Sequence, residues 1–176
     1  MQKELFPNIL LVAGDGRNVG KTYWCCRCIE HLSSKSEVVG VKISPHFHYY
    51  DANNLIVKTD DYVIIRETNI NNKDSSLMLQ AGAGKVYFVM CKRDKIGEAF
   101  ESLKSLFDNK VVVVESGGLH KVISPGLFFY IIDKGKKIGK KEYLDYNPIL
   151  INNDGEQMDF DIQNIRLHGN ELFLDK

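Results

Sequence analysis

The sequence predicts an α/β fold, a three-layer α/β/α domain built around a mostly parallel sheet of about seven strands. Three observations carry that expectation. Short apolar runs alternate with helix-like segments along the chain, the pattern of β-α-β crossovers. The opening run, from Asn8 to Ala13, is continuously apolar after its first residue, as expected of a strand buried on both faces. A glycine-rich turn from Gly14 to Gly20 follows it and leads directly into a helical pattern.

Lys21–Leu32 reads as that helix, with Tyr23, Cys26 and Ile29 on one apolar stripe. Glu37–Ile43 is the second strand, interrupted by Gly40, and Tyr62–Arg66 is the third. Asp74–Ala83 reads as a helix with Asp74 as its N-cap. Lys85–Cys91 is a strand, Ile96–Phe107 a helix, and Lys110–Glu115 a strand ending in Glu-Ser-Gly-Gly. Leu127–Asp133 and Pro148–Asn152 complete the seven. No repeat, low-complexity tract or linker interrupts the pattern, so residues 1–176 read as a single domain of ordinary size.

Composition narrows the function classes. The 23 basic residues are balanced by 23 acidic ones, which argues against a nucleic-acid-binding protein held by a global positive field. No apolar run approaches the ~18 residues that span a bilayer. The N-terminal apolar stretch is too short for a signal peptide, and Glu4 interrupts its basic region, so a cytoplasmic location is the expectation. Of the four cysteines, Cys25, Cys26 and Cys28 crowd into four positions and Cys91 stands alone, which is no distributed disulfide framework. Cys25 and Cys28 lie three apart on the first helix, where both fit the core as small hydrophobes. The cluster Lys134-Gly-Lys-Lys-Ile-Gly-Lys-Lys reads as a solvated loop.

The strongest chemical signal is Gly14-Asp15-Gly16-Arg17-Asn18-Val19-Gly20-Lys21-Thr22, with Tyr23 next on the helix. Glycines with positive φ let successive N–H groups point inward at a phosphate, and the helix starting at Lys21 adds its positive end. Lys21 is placed to bridge β- and γ-phosphates and the Thr22 hydroxyl to hold Mg²⁺. A structural strand-to-helix turn would need the glycines but not the lysine and threonine. In a parallel sheet, ligands collect outside the carboxyl ends of strands. Lys42, at the end region of the second strand, and Glu115, the last residue of the fifth, share that rim. Glu115 is the natural second acidic group near Mg²⁺, or else a capping or ion-paired carboxylate. Lys42 fits neutralisation of a transferring phosphoryl group, or is a surface lysine. Lys21, Lys42 and Glu115 are therefore the candidate catalytic residues, and residues 14–23 the candidate nucleotide-binding set.

Strict G-x-x-x-x-G-K-[ST] spacing would need glycine where Asp15 stands. Gly14, Val19, Gly20, Lys21 and Thr22 instead resemble the loop of dethiobiotin synthetase, G-x-x-x-x-V-G-K-T. Val38-Val39-Gly40-Val41-Lys42 with His46 and His48 is similar to a stretch of the molybdopterin-guanine dinucleotide biosynthesis protein B family. Glu115-Ser116-Gly117-Gly118-Leu119 is close to the E-G-A-G-G-L of the synthetases, and Asp74 with Gln80-Ala81-Gly82-Ala83 to a region of the molybdopterin family. The resemblance covers about the first 120 residues and places the chain near the SIMIBI class of P-loop NTPases. It implies binding of Mg²⁺ with ATP or GTP, hydrolysis or phosphoryl transfer in a cofactor-biosynthesis step, and a homodimer. It equally admits a nucleotide-gated adaptor or metallochaperone-like accessory protein. The lysine some members carry early in the loop is absent, since Gly16 stands there.

Three further features stay open. His46 and His48 point the same way in extended chain and fit a metal, an anion or a plain loop. Asn152-Asn153-Asp154 reads either as an altered guanine-reading N-K-x-D or as a turn. His120 is a lesser candidate beside the glycine pair, and Trp24 reads as packing.

Overall fold

A computed structural model describes residues 3–70 and 73–175. Met1, Gln2, Asn71, Asn72 and Lys176 lie outside them, and with these the start of the N-terminal stretch read above. In chain order the elements are β1 (Leu5–Gly14), α1 (Lys21–Ser33), β2 (Val38–Ser44), β3 (Leu55–Lys58), β4 (Tyr62–Arg66) and α2 (Asp74–Gln80). There follow β5 (Lys85–Cys91), α3 (Ile96–Lys104), β6 (Val111–Glu115), β7 (Ser124–Asp133), β8 (Ile149–Asn153), β9 (Ile165–His168) and β10 (Glu171–Leu174).

Eight strands form one sheet in the order β3-β4-β5-β2-β6-β1-β7-β8, and β9 and β10 make a separate hairpin. Pairings from β5 across to β8 are parallel, whereas β3–β4 and β4–β5 are antiparallel. The mostly parallel α/β expectation therefore stands, with one strand more than the seven read from sequence. The added strand is β3, whose alternating exposure marks it as an edge strand rather than a buried one.

The pleat sorts side chains onto two faces. Ile9, Leu11, Ala13, Val112 and Val114 meet α3 on one face through Ala99, Phe100 and Leu103. Leu10, Val12, Val111 and Val113 meet α1, α2 and the β9–β10 hairpin on the other. All of these strand residues are fully buried. Their burial on both faces is why the central strands are continuously apolar.

The apolar stripe of α1 is not the one predicted. Trp24, Cys25, Cys28, Ile29 and Leu32 are buried, while Tyr23 is 57% exposed and Cys26 is intermediate. The stripe follows the i, i+1, i+4, i+5, i+8 pattern of a helix laid flat on a sheet, which Tyr23 does not share. Trp24 packs edge-on against Phe129 and Phe160, in agreement with its reading as a packing residue. The second helix is shorter than predicted, ending at Gln80, and its N-cap is Lys73 with Asp74 in the first turn. Among the described residues no helix is long and apolar enough to cross a membrane.

Candidate functional site

Strand order brings the candidate residues together. β6 lies between β1 and β2, and Glu115 is in register with both Val12 and Lys42. Residues in register on parallel strands point to the same face, so Lys42 and Glu115 emerge together on the α1 face. Lys42 forms an ion pair with Glu115 and a second, at 2.9 Å, with Asp74 at the start of α2. The Thr22 hydroxyl donates to the other Glu115 carboxylate oxygen at 2.8 Å. Glu115 is 3% exposed, so its charge is balanced by these partners rather than by water. Burial would lower the Lys42 pKa, but Glu115 and Asp74 outweigh it and hold the ammonium above its ordinary value.

The Gly14–Gly20 loop closes over this group. Lys21 donates its ammonium back to the Gly16 carbonyl at 2.5 Å. Burial lowers its pKa; Glu115 partly offsets that, while Lys42 and Lys140 add to it. Only two loop residues have positive φ, Asn18 (59°) and Gly20 (98°), so Gly14 and Gly16 do not play the left-handed role expected of them. Gly14 is needed for closeness instead, since a Cβ there would stand 2.6 Å from Val19 Cγ2. At Gly20 both demands coincide, because a Cβ would also stand 2.5 Å from Met158 Cε and 2.8 Å from Asn153 Nδ2.

Two distant segments brace the loop from outside. Asn153 at the end of β8 donates its amide to the Val19 carbonyl at 3.0 Å. Asp15, a predicted nucleotide-binding residue, has its carboxylate taken up elsewhere. It accepts from the Tyr130 hydroxyl (2.6 Å), the Gly139 N–H (2.7 Å) and the Lys140 N–H (2.9 Å). Burial alone would raise the Asp15 pKa, yet these donors and the Lys140 charge together hold it below its ordinary value. Neither brace has a local sequence signal, because each joins residues more than 100 positions apart.

The Asn152-Asn153-Asp154 side chains are spent on a turn. Asn152 donates to Asp159, Asn153 to Val19, and Asp154 accepts from the N–H groups of Glu156 and Gln157. His46 and His48 are exposed with ring centroids 6.4 Å apart, and among the described residues no three His, Cys, Asp or Glu gather as a metal would need. Cys25 and Cys28 stand at C-x-x-C spacing but are free, fully buried thiols, raised well above their ordinary pKa by burial, and so inert. His120 is 1% exposed, enclosed by Phe128, Tyr143 and Tyr146, with neither ring nitrogen hydrogen-bonded. Burial lowers its pKa to about 4.

On the α1 face, a cavity of about 570 Å³ is lined by Lys21, Thr22, Lys42, Glu115 and Asp74, with Arg17, Asn18, Gly20, Tyr23 and His46 around its mouth. Most of the candidate nucleotide-binding set thus shares one cavity with all three candidate catalytic residues. Sequence reasoning missed Asp74 as the third member of the charge group, 32 positions from Lys42. Compared with known proteins, the chain matches no family model, no curated protein and no solved structure.

Proposed function

We propose that the chain binds a Mg-nucleoside triphosphate, ATP or GTP, with its phosphate tail in the Gly14–Thr22 loop, and cleaves or transfers the γ-phosphoryl group, as a P-loop NTPase does. One observation carries the reading: the loop lysine and Thr22 hydroxyl beyond β1, Lys42 of β2 and the Glu115 carboxylate of β6 converge on one cavity from three strand ends. Phosphoryl transfer asks for positioning and charge stabilisation rather than covalent chemistry, and this is what the group supplies.

The residues suit Mg²⁺. Adjacent oxygen ligands of octahedral Mg²⁺ stand about 3 Å apart. Thr22 Oγ1 and Glu115 Oε2 are 2.8 Å apart and would fit one edge of that shell. When bound, the ion supplies positive charge to the phosphate oxygens. Lys21 would exchange the neutral Gly16 carbonyl for an anionic phosphate oxygen, a stronger charge-assisted bond. Lys42, ion-paired with Glu115, stands ready to share its charge with the γ-phosphate. The N–H groups at the start of α1 face the same anion.

Calorimetric titration of Mg-ATP and Mg-GTP, with release of inorganic phosphate measured alongside, tests the reading. Wild-type protein is expected to bind at least one of them. Lys21→Ala is expected to weaken binding about 100-fold or more while leaving the circular dichroism spectrum unchanged. Failure of both nucleotides to bind, or wild-type affinity in Lys21→Ala, would overturn it.

A further inference from the structure

A second cavity, of about 530 Å³, opens on the opposite face of the sheet from the first. The two meet over the rim, sharing Ile43, Pro45, Ser116 and Gly117 as lining residues. The floor of the second is apolar, formed by Ile43, Cys91, Ile96, Val122 and the Tyr143 ring. Around that floor stand five charged side chains: Arg93, Lys121 and Lys140, with Asp94 and Glu142. None of the five takes part in an ion pair among the described residues. Charged side chains gathered around a cavity without compensating one another leave their charge available to a ligand.

The wall is also built. Tyr143 is 4% exposed and donates its hydroxyl to the Gly117 carbonyl, which pins the glycine pair at the junction of the two cavities. Asp15 holds the Gly139 and Lys140 N–H groups, so the lysine turn of this cavity is tied to the loop of the other one.

We infer that this second cavity binds the anionic group of a small organic co-substrate, a carboxylate or a phosphate ester. Arg93 and Lys121 hold the anion, and the chain of the molecule lies on the Ile43–Ile96–Val122 floor. Three cations against two carboxylates set the sign, and the apolar floor calls for an organic ligand rather than a bare ion. The junction at Ser116 and Gly117 gives such a molecule a short path to the γ-phosphate. Only that last relation, and the role of co-substrate, rests on the nucleotide reading; anion binding in this cavity does not.

Amide NMR of the full chain separates the two. Pentanoate and inorganic phosphate are titrated as probes, into the free protein and into protein saturated with Mg²⁺ and a non-hydrolysable triphosphate analogue. Saturable shifts at the Gly97, Gly117 and Gly118 amides are expected in both states. Tighter binding of pentanoate assigns the carboxylate, and tighter binding of phosphate the phosphate ester. Arg93→Gln and Lys121→Gln are each expected to weaken the probe about fivefold or more while leaving nucleotide affinity within about twofold. Shifts confined to residues 14–22, no saturation by either probe, or unchanged probe affinity in both variants would overturn the inference. Probe binding at these amides without any nucleotide binding would keep the anion site and sink the nucleotide reading.

Discussion

The loop at residues 15–20 and the segment at residues 46–54 both leave the carboxyl edge of the sheet after a central parallel strand, β1 and β2 respectively. The first is gripped from two sides: Asp15 fastens it to Tyr130 and the 139–140 turn, and Asn153 fastens it to the end of β8. The second is held by local bonds, such as His46 N–H to the Ser44 hydroxyl and Asn53 N–H to the Asp51 carboxylate, and by two longer ones, from His48 N–H to Met90 Sδ and from the Asn54 amide to the Thr68 hydroxyl. It shows solvent an aromatic surface instead, with Phe47 49% and Tyr49 95% exposed. The difference separates two uses of a strand end. A braced loop presents its amides and lysine in one geometry, so a bound anion need not bear the cost of ordering them. A segment with no charged brace of that kind fixes its exposed side chains less firmly.

Removing one member of the buried charge group breaks the braced side most severely. Lys42→Met takes from Glu115, at 3% exposure, the ammonium it is ion-paired with, and is expected to cost about 3–5 kcal/mol in urea unfolding. Adding Glu115→Gln in the same chain should restore much of that loss, and strict additivity of the two changes would show that they do not interact.

A pH titration probes the packing behind the Gly117–Gly118 pair. His120 is held neutral with a pKa of about 4 against an ordinary 6.5. Between those values the unfolded chain takes up a proton that the folded chain refuses. Stability from this residue is therefore complete above about pH 6.5 and falls as pH drops toward 4, by about 3 kcal/mol in all. His120→Phe should flatten that limb of the curve in urea titrations at pH 4.5 and 7. An unchanged slope would mean that His120 is not the group responsible.

A smaller effect is expected from Gly20→Ala. The left-handed φ of 98° and the approach of Met158 and Asn153 should cost about 1–2 kcal/mol and weaken nucleotide binding. At the unbraced segment, His46→Ala and His48→Ala should each change stability by less than about 0.5 kcal/mol. A larger loss there would mean that the contrast between the two segments has been overdrawn.

Much of the frame was legible because burial on both faces leaves a local mark. Asn8–Ala13 reads as a buried strand from its apolar run and Lys110–Glu115 as a strand, and β1 and β6 occupy those positions. β1 extends further back to Leu5, across a register shift between Phe6 and Leu10 that hides the pattern. Elements with weaker marks were missed. Leu55–Lys58 is an edge strand of four residues, and the β9–β10 hairpin sits at the end of the chain. That hairpin did carry a usable signal: Gly169-Asn170 between Ile-Arg-Leu-His and Glu-Leu-Phe-Leu, with Gly169 at φ 59°, suits a two-residue turn. The α1 stripe was misread because exposed Tyr23 was counted as apolar when the helix turns it outward.

At the candidate site, Gly14, Gly20, Lys21 and Thr22 were identifiable from strand, turn and helix in succession, since chain geometry over nine residues fixes where they stand relative to one another. Their partners were not. The choice of β6 as the strand between β1 and β2, the placing of Asp74 against Lys42, and the hold of Asp15 and Asn153 on the loop depend on contacts across 32 to 134 positions. Local spacing says nothing about which distant groups will close such a gap, because that is settled only when the whole sheet pairs and its two faces are packed. The second cavity belongs with these, assembled from four segments that share no pattern in the sequence and meet only once the sheet has formed.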